Sequence, residues 1–227
     1  MEITFLGHAS LHIKIDDINL IVDPFISGNP KAESINLNDL KADYILVTHA
    51  HRDHILDVEA IVKNNPKAKL ISNYEIVQWF DKKGIQGYPL NHGGKKHFDF
   101  GIVKYINAIH SSVFPDGSNG GNPGGFVVSS KNKTIYIAGD TALTMDMKLL
   151  PLMFKQIDLA ILPIGDNFTM GYEDAAIASD FVECNKVLGC HYDTFPPIPL
   201  NKKEAVDHFK NKGKELLLPA IGESIHI

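Results

Sequence analysis

Short apolar runs separated by turn residues fill the start of the chain. Residues 3–6, 11–15 and 20–22 are apolar and rich in β-branched side chains, and Asp16-Asp17 supplies a hairpin turn between the second and third runs. Asp23-Pro24 stops the third run, because the residue before proline is held extended and proline has no N–H for a ladder. The pattern then alternates. Residues 44–48 read as a buried strand, 58–64 as a helix ending before Pro66, and 70–71 as a short strand. Asn73 can cap a helix running to Lys83, which Gly84 stops. Strands are expected at 102–109, 126–129, 134–138 and 159–162, and helices at 145–154 and 172–184. The best-punctuated helix runs from Asn201 to Lys212, with Asn201 as cap, Glu204 at the third position and Gly213 at the end. Residues 216–218 close with a strand. Early hairpins followed by alternating strands and helices predict an α/β fold of two mixed β-sheets flanked by helices, in a single domain over residues 1–227.

Composition narrows the function classes. A chain of 227 residues with 44% hydrophobic content buries enough surface to fold without staples. The formal net charge of −5 gives no global attraction for nucleic acid or anionic membrane. Two cysteines, Cys184 and Cys190, make no disulfide framework and match no common zinc ribbon. No basic-then-apolar leader opens the sequence, and no stretch nears the ~20 apolar residues of a membrane helix. The expectation is a cytoplasmic protein acting on a small-molecule substrate, with no membrane partner, nucleic acid disfavoured and oligomerisation left open.

The chemistry lies in Thr48-His49-Ala50-His51-Arg52-Asp53-His54, directly after the strand at 44–48. Residues two apart in an extended segment point the same way, so His49 and His51 can converge on one ion; a turn then carries Asp53 and His54 toward a second point. Imidazole nitrogen and carboxylate oxygen are donors for zinc, iron and similar ions. Four donors in six residues cannot complete two coordination shells. Further candidates sit at later strand ends: His110 after the run at 102–109, Asp140 after 134–138 through Gly139, and His191 after Val187-Leu188.

These residues resemble the metallo-β-lactamase superfamily, which shares a four-layer αββα sandwich and the His-x-His-x-Asp-His motif. More narrowly, the chain resembles bacterial and archaeal metal-dependent hydrolases related to ascorbate-6-phosphate lactonase. The resemblance rests on Leu6-Gly7-His8-Ala9-Ser10, Asp23-Pro24-Phe25, the motif itself, His110-Ser111-Ser112, Ala138-Gly139-Asp140-Thr141, the run 163–171 and His191-Tyr192-Asp193-Thr194-Phe195-Pro196. It implies a first metal on His49, His51 and His110, a second on Asp53, His54 and His191, and Asp140 as the bridging carboxylate. The antibiotic-hydrolysing branch lacks a bridging aspartate there, so Asp140 points to ester, lactone and phosphoester hydrolases. An iron-dependent oxidoreductase branch has an acidic residue where this chain has His51, which favours hydrolysis. Asp193 departs from the asparagine expected in relatives.

The implied enzyme is a binuclear metal-dependent hydrolase. Two divalent ions serve it, zinc favoured with manganese or iron as alternatives, and Asp53 and His8 are its catalytic side chains. Asp23 at a strand end is a candidate acceptor for the second N–H of a metal-bound histidine. A metal-dependent phosphodiesterase or ribonuclease, and a non-enzymatic metal-binding or sensing protein on the same scaffold, are the alternatives. No Ser–His or Cys–His nucleophile pair is expected. His12, His92, His97, His208 and His226 read as surface or structural residues, and Cys190 as a buried structural thiol. The glycine-rich stretch 117–125 lacks the Lys-Ser or Lys-Thr of a phosphate loop and reads as a mobile loop at the site mouth. For the loop 166–171, a tight turn and a piece of pocket wall are balanced readings.

Overall fold

The computed structural model describes residues 1–131 and 133–227. The first sheet is built from β1 (Glu2–Gly7), β2 (Ser10–Ile15), β3 (Ile18–Val22), β4 (Tyr44–Leu46), β5 (Lys69–Ser72) and β6 (Gly87–Pro89). The second comprises β7 (Lys95–Phe98), β8 (Gly101–Asn107), β9 (Gly124–Ser130), β10 (Lys133–Ile137), β11 (Leu159–Pro163), β12 (Lys186–Cys190) and β13 (Glu215–Leu217). The last strand, β14 (Ser224–His226), returns to the first sheet beside β1. Strand orders are β14-β1-β2-β3-β4-β5-β6 and β13-β12-β11-β10-β9-β8-β7. Each sheet starts as an antiparallel meander (β1-β2-β3; β8-β9-β10) and continues in parallel (β3 to β6; β10 to β13). Hence β1, β3 and β4 run the same way, as do β8, β10 and β12, and their carboxyl ends share one edge of each sheet.

The helices are α1 (Arg52–Ile55), α2 (Val58–Asn64), α3 (Tyr74–Asp81), α4 (Leu150–Met153), α5 (Tyr172–Phe181) and α6 (Lys202–Asn211). Strand residues alternate between faces, and both faces are buried. Leu20, Val22, Leu46 and Ile71 of the first sheet pack with Phe126, Ile135, Ile137 and Ile161 of the second in the central core. Their neighbours Ile21, Ile45 and Leu70 face outward beneath α2 and α3. Val127, Tyr136, Ala160 and Val187 face outward beneath α5 and α6. Three apolar layers between four structural ones define the αββα sandwich, and the small residues Ala175, Ala176 and Ala178 bring α5 close to its sheet.

Local differences from expectation have physical causes. The helix expected over 145–154 is a 3-10 stretch, Met145–Leu149, followed by one turn of α4. Pro151 lacks the N–H that a continuous α-helix would direct at Met147 O. The 172–184 helix ends at Phe181, where Glu183 turns left-handed with φ +52°. Asn73 and Asn201 cap α3 and α6 as the sequence predicts, accepting from Ile76 N and Glu204 N.

Candidate metal centre

The carboxyl ends of β1, β3, β4, β8, β10 and β12 deliver His8, Asp23, the 49–54 motif, His110, Asp140 and His191 to one end of the sandwich. His8, Asp23 and His191 lie at φ +56°, +43° and +57°. Left-handed backbone at non-glycine residues costs roughly 1–3 kcal/mol and persists where surrounding structure enforces it. The backbone N–H of His191 donates to His8 O at 2.8 Å, which ties the two sheets together at this point. Gly139 (φ +65°) makes the turn that presents Asp140; a Cβ there would meet Gly124 O at 2.8 Å and Thr48 Cβ at 2.9 Å. Gly165 lets the next loop pass His191, since a Cβ would stand 2.0 Å from His191 O.

The seven motif and strand-end residues converge. Donor atoms of His49, His51 and His110 form one group, those of His8, Asp53, His54 and His191 a second, and those of His49, His54 and Asp140 a third joining them. Asp140 Oδ2 lies 2.9 Å from His191 Nε2, 3.3 Å from His54 Nε2, 3.6 Å from His110 Nε2 and 3.9 Å from His49 Nε2. His191, His54 and Asp140 are nearly inaccessible, whereas Asp53 keeps 26% and His110 15% of the side chain exposed. The opening of the site therefore lies on the Asp53, His51 and His110 side.

Asp23 fixes the tautomers. Its Oδ1 accepts from Thr48 N at 2.8 Å; its Oδ2 accepts from Thr48 Oγ1 at 2.6 Å and faces His54 Nδ1 at 2.9 Å. Because the Thr48 hydroxyl donates to Asp23, it can only accept from His49 Nδ1, 3.0 Å away. Both His49 and His54 are thus protonated on Nδ1, and neutral rings of this tautomer turn an Nε2 lone pair toward Asp140. His8 reaches Asp53 Oδ2 with Nε2 at 3.1 Å and the Thr194 hydroxyl with Nδ1 at 3.0 Å.

Electrostatics follow from burial opposed by these contacts. Burial pushes Asp140 up, but His191 and His54 hold it well below the carboxylate range. Burial also raises Asp53, and the hydrogen bond from His8 together with His54 outweighs it and carries it down. Burial lowers His54, yet Asp140 and Asp23 raise it well above an ordinary histidine. Burial leads the lowering of His49, His51 and His110, and it drives His8 to about 4.

The donor set fits divalent cations. His54 Nε2 and Asp140 Oδ1 are buried without a hydrogen-bond partner, a costly arrangement for polar atoms that bound cations would relieve. His49 Nε2 and His51 Nδ1 face each other at 3.0 Å, two ring nitrogens suited to one shared ion.

The sequence pattern of the β-lactamase superfamily domain matches residues 2–191. A UPF0173 metal-dependent hydrolase of Flavobacterium johnsoniae is 63% identical over the full length of both chains. One of Thermus thermophilus is 43% identical over 95% of this chain and 94% of its own. The solved structure of Igni18, a metallo hydrolase from the archaeon Ignicoccus hospitalis, superposes with a TM-score of 0.89 at 31% identity, covering 99% of this chain and 97% of that one. The chain belongs to the UPF0173 metal-dependent hydrolases of the β-lactamase superfamily. Its four-layer sandwich is the metallo-β-lactamase fold of that superfamily.

Within this family member, the other sequence candidates resolve as follows. His12, His92, His97, His208 and His226 lie outside the three donor groups. Cys190 sits in the central core, its thiol pushed up by burial. The 166–171 loop borders Asp140 through Met170 N donating to Thr141 O at 3.1 Å. The glycine stretch 117–125 is not a free mouth loop. Gly120 packs on Ala50 and Ser112, Gly124 N donates to Thr48 O at 3.2 Å, and Asn73 Nδ2 donates to Gly120 O at 2.7 Å. It buttresses the motif from behind, and its glycines permit the close approach. Asp193 is structural: at φ +60°, its Oδ1 accepts from Leu200 N at 2.8 Å.

Ser111 Oγ stands 3.2 Å from His51 Nε2, a Ser–His contact absent from the sequence-based expectation. It is not a triad, because His51 Nδ1 faces His49 and no carboxylate orients it. Sequence reasoning also assigned no roles to Thr48 and Thr194, although each lies within three residues of a candidate ligand.

Proposed function

We propose that the chain is a binuclear metallo-hydrolase that cleaves a small ester, lactone or phosphoester. His49, His51 and His110 hold one ion, Asp53, His54 and His191 the other, and Asp140 stands between them. The observation that carries this reading is the single oxygen Asp140 Oδ2 within 3.9 Å of ring nitrogens from both sets. Such ions, when bound, polarise a carbonyl or phosphoryl oxygen and lower the pKa of a coordinated water toward ~7. The histidine-rich set favours zinc, with manganese or iron as alternatives. Two buried, unpaired cysteines suit the reducing cytoplasm.

The chain's own residues do the rest. Asp53 is the partly exposed carboxylate of the site and is held ionised, so it orients the attacking water as a hydrogen-bond acceptor. His8 stays neutral at pH 7 and donates to Asp53 Oδ2, which fixes that carboxylate toward the site. Thr194 in turn holds the His8 ring.

The test compares a simple phosphodiester and a simple lactone, with metal-loaded protein and its Asp53→Ala variant, alongside metal content per chain. We expect two ions per chain, one substrate class approaching ~10⁴ M⁻¹s⁻¹, and a dead variant. One ion per chain refutes the binuclear assignment, and wild-type rates in Asp53→Ala refute the role of Asp53. Tight metal binding without turnover on either substrate favours a sensing protein.

A further inference from the structure

Behind the motif, on the side of α1 turned away from Asp53 and His54, lies a groove of about 670 Å³. Its size falls in the range of small-molecule sites. Arg52 and Ile55 of α1, Leu56 at its end and Glu59 of α2 form one wall; Trp79 and Phe80 of α3 and Pro115 form the other. Its lining joins apolar side chains with three cationic residues, Arg52, Lys82 and Lys83, and two acidic ones, Glu59 and Asp116.

The charges do not cancel. Lys83 pairs with Glu59 and lies 3.9 Å over the Trp79 ring, whose other face stacks on Phe114 at 4.3 Å. The carboxylate of Asp116 is taken up by Trp79 Nε1 at 3.0 Å and by Ser118. Among the described residues, neither Arg52 nor Lys82 has a carboxylate within ion-pair distance. Arg52 is also the chain's one arginine, every other cationic residue being lysine. A guanidinium presents a planar fork that binds carboxylate, sulfonate or phosphate bidentately, which lysine cannot do.

We propose that this groove binds a small amphipathic anion: a ring-sized apolar body against Leu56, Trp79 and Pro115, with its carboxylate, sulfonate or phosphate on the Arg52 guanidinium. The assignment is independent of the hydrolytic reading. Because Arg52 lies between His51 and Asp53 in sequence, an occupant anchored there bears on the backbone carrying both.

Trp79 is the only tryptophan, so the single indole N–H resonance in a ¹H–¹⁵N spectrum reports the groove alone. The probe is 2-naphthoate, with neutral 2-naphthylmethanol as control, titrated into wild type, Arg52→Gln and Arg52→Lys. We expect a saturable shift of the indole resonance with naphthoate, weakened about tenfold or more in Arg52→Gln and less in Arg52→Lys, with the neutral analogue also weaker. Arg52 is exposed, and an unchanged dispersed spectrum shows that the variants fold. An indole resonance that naphthoate leaves unmoved overturns the proposal. Equal affinity in wild type and Arg52→Gln, or equal affinity for the neutral analogue, overturns the anion assignment.

Discussion

Replacing Asp23 with asparagine exchanges one carboxylate oxygen for an amide nitrogen in a fully buried node. The amide oxygen can still accept from Thr48 N, but the amide nitrogen then faces His54 Nδ1, a donor opposing a donor. The low-cost escape is for His54 to move its proton to Nε2 and accept from the amide. Nε2 is the atom aimed at Asp140, so the variant's neutral ring presents a proton to an incoming ion where the wild type's neutral ring presents a lone pair. Losing an outer partner of a metal-bound histidine costs 10–100-fold in affinity, or about 1.4–2.7 kcal/mol. Alanine is a poorer probe. It strands Thr48 N and His54 Nδ1 as buried donors at roughly 1–3 kcal/mol each, a large part of a typical ~5–15 kcal/mol stability. The assay is zinc affinity by competition with a chelating dye, with the His54 tautomer read from imidazole ¹⁵N shifts in the metal-free protein. Asp23→Asn that binds both ions as tightly as wild type, with His54 still protonated on Nδ1 in its neutral form, would refute the reasoning.

Further outcomes follow from the same geometry. Removing bound metal with a chelator should lower the Tm by roughly 5–10 °C per ion relative to metal at 100 times its Kd, and an unchanged Tm would argue that no site couples to folding. The metal-free protein should lose stability on acidification. Unfolded His8 takes up its proton near 6.5 while folded His8 resists until about 4, so the unfolded state gains protons across that window, worth about 3 kcal/mol at its lower end. His49, His51 and His110 act in the same sense. His54 acts oppositely, its contribution full below 6.5 and lost as pH rises through its raised folded pKa. Thermal melts from pH 7 to pH 5 that stay flat or rise would contradict this balance. Gly139→Ala should reduce metal occupancy and cost about 1–2 kcal/mol in left-handed strain before any clash with Gly124 O, measured by metal analysis and denaturant unfolding.

Continuous apolar runs made the sandwich legible where strands are buried on both faces, as in 20–22, 44–46 and 159–163. It failed at β6, β7 and β14, short strands in which Tyr88, Lys95, Lys96 and His226 face solvent and no two-residue period survives. The converging residues were legible because they sit in a compact motif and directly past strand ends. Their supporting hydroxyls were not, since Thr48 and Thr194 act through direction alone: which way a hydroxyl donates depends on partners 25 and 186 residues away. The glycine stretch was misplaced for a related reason. Composition shows that a backbone can bend, not what it packs against.

The His191 N–His8 O hydrogen bond and the groups around Asp140 lie on the seam between two sheets built from different parts of the chain. His8, Asp23 and the 49–54 motif belong to the first sheet, and His110, Asp140 and His191 to the second. An ion shared by His54, Asp140 and His191 would act as a rivet across that seam. Neither half alone offers that full set of donors, so the complete site would form only after the halves dock. Once in place, such an ion would resist their parting, which would make metal a brake on unfolding rate more than an aid to folding rate.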